Sequence, residues 1–565
     1  MSTAKRVYFY LVYFITLGMF SSGVGILLGV CFEVIIKHPA LATSGAPGFA
    51  RGMLSLGLAM LVIGGVLWFL FWRAIRRSVA GDPDEIGSAI RKLFLNLILV
   101  VSALVGLSAA VGFLKWLMAG VLSSEFPSTG LATLIVTGVI WYYHWRLSEG
   151  EGQPSPDART LRRWYVYILS GWGLVSLSVG LVQLVNTAVL QLPVWGEAII
   201  SRPFWGSSVQ GNIGWILMGG LAWGFHWFRM AKGDSDSALR QVYLYLLAIV
   251  GGSIAGLVAL TSSLYGVIRF ALGSLSTPAN TYFQFLGWAV SLMLIAAAIW
   301  VYHQRVTQEE AVQVPERLSA QRVHLYLMSF LGLATMIAGL IMLFGILIEL
   351  LIGAVSSTPI LVTAGWWRDQ LSICLALLVV ATPIWLYYWN RVLQIASVGG
   401  AVERGARSRR IFLYVVLGAA ILALAADLVN IVYQVLNGLL QGTFGVEVLR
   451  RSKWSLQNLF IVVPLLLYFW RIIRQDQRLG AELAVRKTVT MLVSDRQAGL
   501  VSQIEEKLGY RVKTLHYVGQ VPEEFPVLSD EEVSRLAGDI QAAPGTKVML
   551  VASAGKVMVL PYREK

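Results

Sequence analysis

The sequence predicts an all-α polytopic membrane protein of about twelve transmembrane helices, arranged as six tandem two-helix hairpins and followed by a small cytoplasmic α+β domain. Three observations favour this fold class. The chain of 565 residues is 56% hydrophobic and only 13% charged, whereas soluble domains carry about 25% charged residues. Apolar stretches long enough to cross a bilayer recur along residues 1–475. Two short aromatic motifs repeat along the same region with one shared period.

The apolar stretches meet the length that a bilayer demands, because a core about 30 Å thick needs roughly 20 helical residues. The first stretch begins at Val7 and is longer than the core of roughly 7–15 residues in a secretory signal. It is therefore interpreted as a retained helix. The predicted spans are 7–36, 52–73, 93–122, 129–146, 164–190, 209–228, 242–272, 281–304, 323–353, 369–391, 411–438 and 456–474.

The odd-numbered spans begin with similar residues, and we call this pattern the opening motif. RVYFY at Arg6 recurs as RWYVY at Arg163 and as RVHLY at Arg322. Related sequences start at the remaining odd spans. The six starting positions are 6, 92, 163, 241, 322 and 410.

The even-numbered spans end with a second pattern, the closing motif, of which WYYHW at Trp141 is a clear copy. Its aromatic residues have an apolar body and a polar edge, so we expect them at the membrane interface, with arginine in water. The predicted interfacial residues are Trp141, His144, Trp145, Arg146, His226, Trp227, Trp300, His303, Trp385 and Trp389.

Basic residues predict the orientation of the hairpins. Both motifs lie on one side of the membrane, and the short loops there are rich in arginine. The positive-inside rule then places this side and both termini in the cytoplasm of a plasma membrane. The net charge of +14 predicts contact with anionic lipid headgroups at that face. Arg450, Arg451 and Lys453 on the opposite side are an exception.

The motif pair resembles a known repeat family. An R-x-Y-x-Y-L sequence that opens one helix, with P-x-W-x-x-[HY]-W closing the next, is similar to a bacterial repeat catalogued as domain of unknown function 5671. Pro383–Trp389 matches the closing pattern best, whereas Pro464 is followed by Leu466 in place of tryptophan. The resemblance covers residues 6–475. It implies a multispanning bacterial membrane protein and implies no activity, substrate or catalytic residue.

The repeats and the change in composition after Arg474 define the domain boundaries. The hairpin repeats are 1–80, 81–155, 156–235, 236–312, 313–400 and 401–475, followed by a linker at 476–487 and an α+β domain at 488–565.

The C-terminal domain is predicted to have the element order β-α-β-α-β-β. Ser529 and Glu532 form a capping box before a helix, and Ala554-Gly555 is predicted as the turn between the last two strands. From Arg478 onward there are 12 Lys and Arg residues and 11 Asp and Glu residues. This balance argues against nucleic acid, which requires a basic face. It leaves three alternatives for residues 488–565, namely peptide binding, ligand sensing and self-association, so a protein partner of this domain is one of the expectations.

Histidines at equivalent positions in three closing motifs are the first candidates for chemistry. His144, His226 and His303 could form a metal or proton site. The alternative is an aromatic belt, because Phe71, Tyr388 and other residues without a metal-binding nitrogen occupy the same position elsewhere. The belt interpretation is favoured, and no cofactor or metal is predicted.

Ionisable residues within the spans are the second candidates, because each is costly in hydrocarbon unless it is paired or hydrated. Asp427 lies near mid-membrane, with Asn430 and Gln434 on the same helix face, and favours either a structural hydrogen bond or a water-filled cavity. Glu33 and Glu349 each follow their opening motif by 27 residues (33−6 and 349−322) and are expected near the outer interface. The remaining candidates are Lys115 and Arg269.

Small residues at four-residue spacing predict close approach of helix backbones. The positions that show this spacing are Gly25, Gly29, Gly220 and Gly224.

The favoured function is non-enzymatic sensing, scaffolding or assembly at the plasma membrane. The first alternative is a transporter or channel built from parallel hairpin repeats, although inverted repeats are common in alternating access. The second alternative is a membrane-embedded enzyme, for which the motif histidines lack neighbouring carboxylates in the sequence.

Overall fold

The structure is a computed structural model. It describes residues 2–36, 49–122, 125–153, 155–195, 204–235, 237–273, 277–310, 315–355, 365–398, 403–483, 488–493, 498–516, 525–526, 528–545, 547–553 and 556–562.

Long helices occupy residues 3–483, and they pack in consecutive antiparallel pairs. The first three pairs are α1 (Thr3–Ile36) with α2 (Phe49–Gly81), α3 (Ala89–Met118) with α4 (Ser128–Glu151), and α5 (Pro156–Val189) with α6 (Ser207–Gly224, continued by a π-helical turn at Phe225–Met230). The next two are α7 (Ala238–Ala271, π-helical at Tyr243–Val250) with α8 (Ala279–Glu309), and α9 (Pro315–Val355) with α10 (Trp366–Val398). In the last pair, α11 (Arg407–Leu440) packs with α13 (Lys453–Leu483), and the short α12 (Val446–Arg451) lies between them in the sequence.

Ten of the described helices are long and apolar enough to cross a membrane. This confirms the polytopic helical fold class but is fewer than the predicted number of about twelve. The predicted spans 129–146 and 209–228 are also helical, as α4 and α6. They do not reach the same apolarity because glycine, threonine, tryptophan and histidine replace aliphatic residues along them.

Glycines bring the two helices of a hairpin together, but not where the sequence predicted. A side-chain carbon at Gly219 would lie 2.4 Å from the backbone nitrogen of Leu177, and one at Gly173 would lie 2.4 Å from that of Trp223. By contrast, nothing lies within 4 Å of such a carbon at Gly25 or Gly224. Small-residue spacing occurs on several faces of these helices, and only one face meets its partner.

Two compact units make up the chain, Met1–Trp389 and Asn390–Lys565. In the first unit each hairpin packs against the next one: α1 contacts α3 and α4, α3 contacts α5 and α6, α5 contacts α7 and α8, and α7 contacts α9. Among the described residues of this unit, no pair of helices from hairpins further apart shares a substantial contact. The packing is therefore that of a repeat protein, in which each unit is stabilised by its neighbours.

The second unit contains α11–α13 and a four-stranded sheet with two helices. Strands β1 (Thr488–Val493), β2 (Lys513–His516), β3 (Lys547–Ser553) and β4 (Lys556–Pro561) have the order β2-β1-β3-β4, with only β4 antiparallel to its neighbour. Helices α14 (Ala498–Leu508) and α15 (Asp530–Ala542) contribute to one apolar cluster with Val489, Met491, Val548 and Leu550.

This arrangement confirms the predicted α+β domain. The capping box at Ser529 is formed, because its hydroxyl accepts from the Glu532 N–H while the Glu532 carboxylate accepts from the Ser529 N–H. These hydrogen bonds lower the pKa of Glu532. The predicted turn at Ala554-Gly555 lies outside the described residues. The predicted linker 476–487 begins within α13, which continues to Leu483.

Candidate functional site: the motif end of the hairpins

The opening and closing motifs of a hairpin meet at the same end of it, which we call the motif end. The third residue of the opening motif and the fourth of the closing motif form an edge-to-face ring pair, with centroids 5.3–6.0 Å apart. The residue types at these two positions differ between hairpins, whereas the edge-to-face ring geometry stays the same. The pairs are Tyr8–Phe71, Tyr165–His226, Tyr243–His303, His324–Tyr388 and Phe412–Phe469.

The three closing-motif histidines are buried, and both of their ring nitrogens are bonded. In His226, Nδ1 lies 2.7 Å from the Ala222 carbonyl oxygen one turn earlier, so it must carry the proton and donate. Nε2 therefore accepts from the Tyr165 hydroxyl at 3.2 Å. His303 repeats this arrangement with the Ile299 carbonyl at 2.8 Å and Tyr243 at 3.5 Å.

His144 has the same backbone bond, to Ile140 at 2.8 Å, but a different tyrosine. The residue that would face it within its own hairpin is Phe94, which has no hydroxyl. Its Nε2 is bonded instead to Tyr13 of the preceding hairpin, at 3.0 Å. A histidine at this position thus obtains a hydroxyl partner even where the repeat departs from its pattern.

Tryptophans of the closing motif connect successive hairpins. The Trp141 indole N–H donates to the Tyr165 hydroxyl at 3.2 Å, and that of Trp223 donates to Tyr243 at 2.9 Å. The chain of bonds Trp141–Tyr165–His226 therefore runs from the second hairpin into the third. Trp227 extends the same kind of link to Tyr302 of the fourth hairpin, at 2.8 Å.

The remaining predicted motif residues differ in exposure. Trp145 stacks on Trp141 and lies beneath the Arg162 guanidinium, 4.2 Å from the ring centroid. Trp389 is buried, whereas Trp300 is partly exposed. The backbone of Trp385 packs against Gly332 of α9.

Basic residues of the opening motifs form ion pairs that the sequence analysis did not anticipate. In five hairpins, an arginine at the start contacts a carboxylate that follows the closing motif of the same hairpin. The ion pair joins the two ends of the hairpin and is largely buried in four of the five, whereas the Arg163 side chain is partly exposed. The pairs are Arg6–Glu85 at 2.9 Å, Arg91–Glu151 at 3.1 Å, Arg163–Asp234 at 2.8 Å, Arg240–Glu310 at 3.0 Å and Arg409–Asp476 at 2.7 Å.

Arginines that end the closing motifs have the opposite environment. Arg73, Arg146, Arg305 and Arg471 are all exposed, and within the described part of the chain they form no ion pair. These four arginines are therefore exposed cations at the motif end, whereas Arg6, Arg91, Arg163, Arg240 and Arg409 are paired with carboxylates.

The predicted intramembrane residues fall into two groups. Glu33, Glu349 and Lys115 are half-buried in the last turns of α1, α9 and α3, and the structure does not bring them together. Arg269 is paired with Asp369 of the next hairpin at 2.7 Å.

Asp427, Asn430 and Gln434 do lie together, and they face α13. Asp427 is buried and accepts from the Asn458 amide at 3.4 Å, and Asn430 donates to the Ser455 hydroxyl at 2.9 Å. Gln434 lies 3.5 Å from Asn430. Ser455 and Asn458 are polar and uncharged, at the edge of a predicted span, and no sequence signal singled them out.

Apolar cavities lie between successive hairpins, at equivalent positions of the repeat. One of about 480 Å³ lies between the first and second hairpins and is lined by Val101, Ser102, Thr133 and Thr137. Another of about 290 Å³, between the fourth and fifth, is lined by the corresponding positions Leu331, Gly332, Leu377 and Ala381.

The described residues contain no cluster of three or more His, Cys, Asp or Glu side chains suited to a metal ion. The polar groups of the motif end that the structure describes are used mainly to join helices.

The sequence comparisons agree with this repeated architecture. Four segments of the chain, residues 6–130, 127–193, 163–287 and 322–452, match the family described as a domain of unknown function, DUF5671. No curated protein and no solved structure gives a match. Because the matched segments span well over half of the chain and recur along it, this multispanning protein belongs to the DUF5671 family.

Proposed function

We propose that the protein is a non-enzymatic scaffold of a bacterial plasma membrane, with its motif ends, both termini and the α+β domain in the cytoplasm. The helical body anchors the chain, and residues 488–565 bind a protein partner. The observation that carries this proposal is an apolar sheet face of the α+β domain on which Leu515, Met558 and Leu560 are exposed, although Thr490 on the same face is buried beside Tyr562.

Strand register defines this surface. Val489, Met491, Val548 and Leu550 point into the core with both helices. Alternate residues point to the other face, where the side chains of Leu515, Met558 and Leu560 are about 40–45% exposed. Met549 lies opposite Leu560, and Val551 opposite Met558. We call these five residues the open sheet face.

An exposed apolar patch on a small domain indicates an interaction surface. The nearly equal numbers of acidic and basic residues in this domain favour a partner recognised by apolar contact. They disfavour a nucleic acid, whose phosphates require a basic face.

The membrane body supports a structural role. Its three closing-motif histidines have both ring nitrogens in hydrogen bonds, and five arginines at the starts of hairpins are paired with carboxylates. Groups used in this way hold helices in register and are not available as a general base or nucleophile. The exposed Arg73, Arg146, Arg305 and Arg471 suit contact with anionic lipid headgroups, each contributing about 1 kcal/mol near a charged leaflet.

A photo-crosslinking experiment in intact cells tests the proposal. A crosslinking amino acid at Met558 is expected to give one discrete protein adduct, identified by mass spectrometry, whereas the same group at Glu531, exposed on α15, gives none. Met558→Lys should abolish the complex and Met558→Leu should retain it. An adduct with a second copy of the chain would identify the scaffold as self-assembling. Lipid adducts alone, or equal adducts from both positions, would contradict the proposal.

A further inference from the structure

The sixth hairpin contains a row of polar residues where α11 faces α13. Asn458 donates from its side-chain amide to Asp427 Oδ1 at 3.4 Å, and Asn430 donates to Ser455 Oγ at 2.9 Å. The two pairs follow each other along an antiparallel contact, since both residue numbers change by three. We call Asp427, Asn430, Ser455 and Asn458 the polar seam.

The polar seam has more oxygen acceptors than donors. Asp427 is 7% exposed, and no donor within the described residues reaches its Oδ2. The same holds for Oδ1 of Asn458. These two oxygens belong to groups that are hydrogen-bonded to each other through Asn458 Nδ2 and Asp427 Oδ1. Ser455 is 4% exposed and adds a hydroxyl oxygen one turn away.

The depth of the polar seam in the membrane makes its surplus of oxygen acceptors energetically costly. Asp427 follows Arg410 by 17 residues (427−410), which at about 1.5 Å per residue is about 25 Å from the motif end. Arg450 and Arg451, two basic residues at the outer end of the hairpin, form ion pairs with Glu447 and therefore do not neutralise Asp427. A carboxylate in hydrocarbon requires a paired charge or an equivalent ligand.

The chemistry of the seam selects the ligand. Oxygen atoms from a carboxylate, an amide and a hydroxyl are the donors that hard cations prefer. Asp427 is the single ionisable side chain of the seam, so one positive charge balances it. A divalent ion would leave an excess charge in the low-dielectric interior.

We propose that the polar seam is a binding site for a monovalent alkali cation, with Na⁺ as the matching probe. The Asp427 carboxylate, the Asn458 carbonyl oxygen and the Ser455 hydroxyl are its ligands. The bound ion joins α11 to α13 and satisfies the two acceptors that the protein leaves open. This site is independent of the open sheet face and of the proposed scaffold role.

Equilibrium binding of ²²Na⁺ to the purified full-length protein in lipid nanodiscs tests the site. The wild-type chain is expected to bind one ion per chain saturably, and excess unlabelled NaCl should displace it. Asp427→Asn keeps the shape of the side chain and removes its charge, so binding should be lost. Ser455→Ala removes one neutral ligand and should weaken the affinity about tenfold. Glu531→Gln, which removes an exposed carboxylate of α15 away from the seam, is the matched control and should leave binding unchanged.

A second readout is the melting midpoint from tryptophan fluorescence in NaCl and in choline chloride at equal ionic strength. Na⁺ should raise the midpoint of the wild type and of Glu531→Gln, but not that of Asp427→Asn. Absence of saturable binding to the wild type would overturn the proposal, and a proton or water would then satisfy the seam. If Asp427→Asn does not fold, an unchanged affinity in Ser455→Ala overturns it equally.

Discussion

At the scale of single residues, the motif end is stabilised by polar groups that have specific partners. Each of the three closing-motif histidines donates from Nδ1 to its own helix and accepts at Nε2 from a tyrosine, which fixes one neutral tautomer. Each tyrosine in the third and fourth hairpins also accepts from a tryptophan of the preceding hairpin. The hydroxyl therefore has two partners, a buried histidine and a half-buried tryptophan, and its removal affects both.

Tyr165→Phe is expected to destabilise the protein by about 1–3 kcal/mol, because it leaves the Trp141 N–H and His226 Nε2 without their partner. The measurement is the shift in the fluorescence-detected unfolding midpoint in detergent. Tyr142→Phe is the matched control, since Tyr142 is 60% exposed in the same region. Equal midpoints for the two variants would show that the hydroxyl bonds contribute nothing.

Glu151→Gln is expected to lower the free energy of unfolding by about 3–5 kcal/mol, because it leaves Arg91 and Lys92 buried without a carboxylate. Glu149→Gln, two residues earlier, breaks a pair in which the carboxylate side chain is 57% exposed and should cost less than about 1 kcal/mol. Thermal unfolding of both variants in the same detergent checks this difference. A smaller loss for Glu151→Gln than for Glu149→Gln would refute the structural role of the hairpin ion pair.

Sequence patterns located the basic residues of these ion pairs but not their partners. The arginines belong to a repeated motif and are visible from it. The carboxylates follow the closing motif at variable distances, with Glu85 13 residues after Trp72 and Glu151 six after Trp145. A variable offset gives no periodic signal, so the arginines were interpreted as free cytoplasmic cations.

At the scale of the element, glycines allow the two backbones to touch in the first, third and fifth hairpins. The period of the hairpin repeat was evident from the sequence, because each motif is a short run of residues that recurs at the helix ends. The helix face that makes the contact could not be predicted from the sequence. Gly219 and Gly220 are adjacent, and of these two only Gly219 approaches the backbone of α5. Similarly, the spacing of Asp427, Asn430 and Gln434 predicted a polar helix face, whereas the matching residues of α13 required the structure.

Gly219→Ala is expected to destabilise the third hairpin by about 1–3 kcal/mol, because the added carbon would meet the Leu177 backbone and force α5 and α6 apart. Gly220→Ala is the natural control, since its nearest neighbour is a Leu177 methyl carbon 3.9 Å away. Alanine there should be neutral or slightly stabilising through its helix propensity. Unfolding midpoints that fall in both variants alike would contradict this packing.

At the scale of the whole molecule, the account depends on repeated hairpins whose motif ends share one side of a membrane. The apolar helices and the repeated family match support a multipass protein. In the orientation that we propose, the exposed closing arginines face the cytoplasm, as the positive-inside rule requires. Exposed apolar side chains such as Leu422 and Val429 on α11 suit a hydrocarbon solvent.

Cysteine accessibility tests this central claim most directly. After Cys31 and Cys374 are replaced by serine, single cysteines are introduced and labelled with a membrane-impermeant maleimide in intact bacterial cells. Cysteines at the motif-side positions Arg77, Arg305 and Arg407 should react only after permeabilisation, whereas those at Thr277 and Thr443 should react in intact cells. Labelling of any motif-side cysteine in intact cells, or protection of both outer ones, would contradict the account.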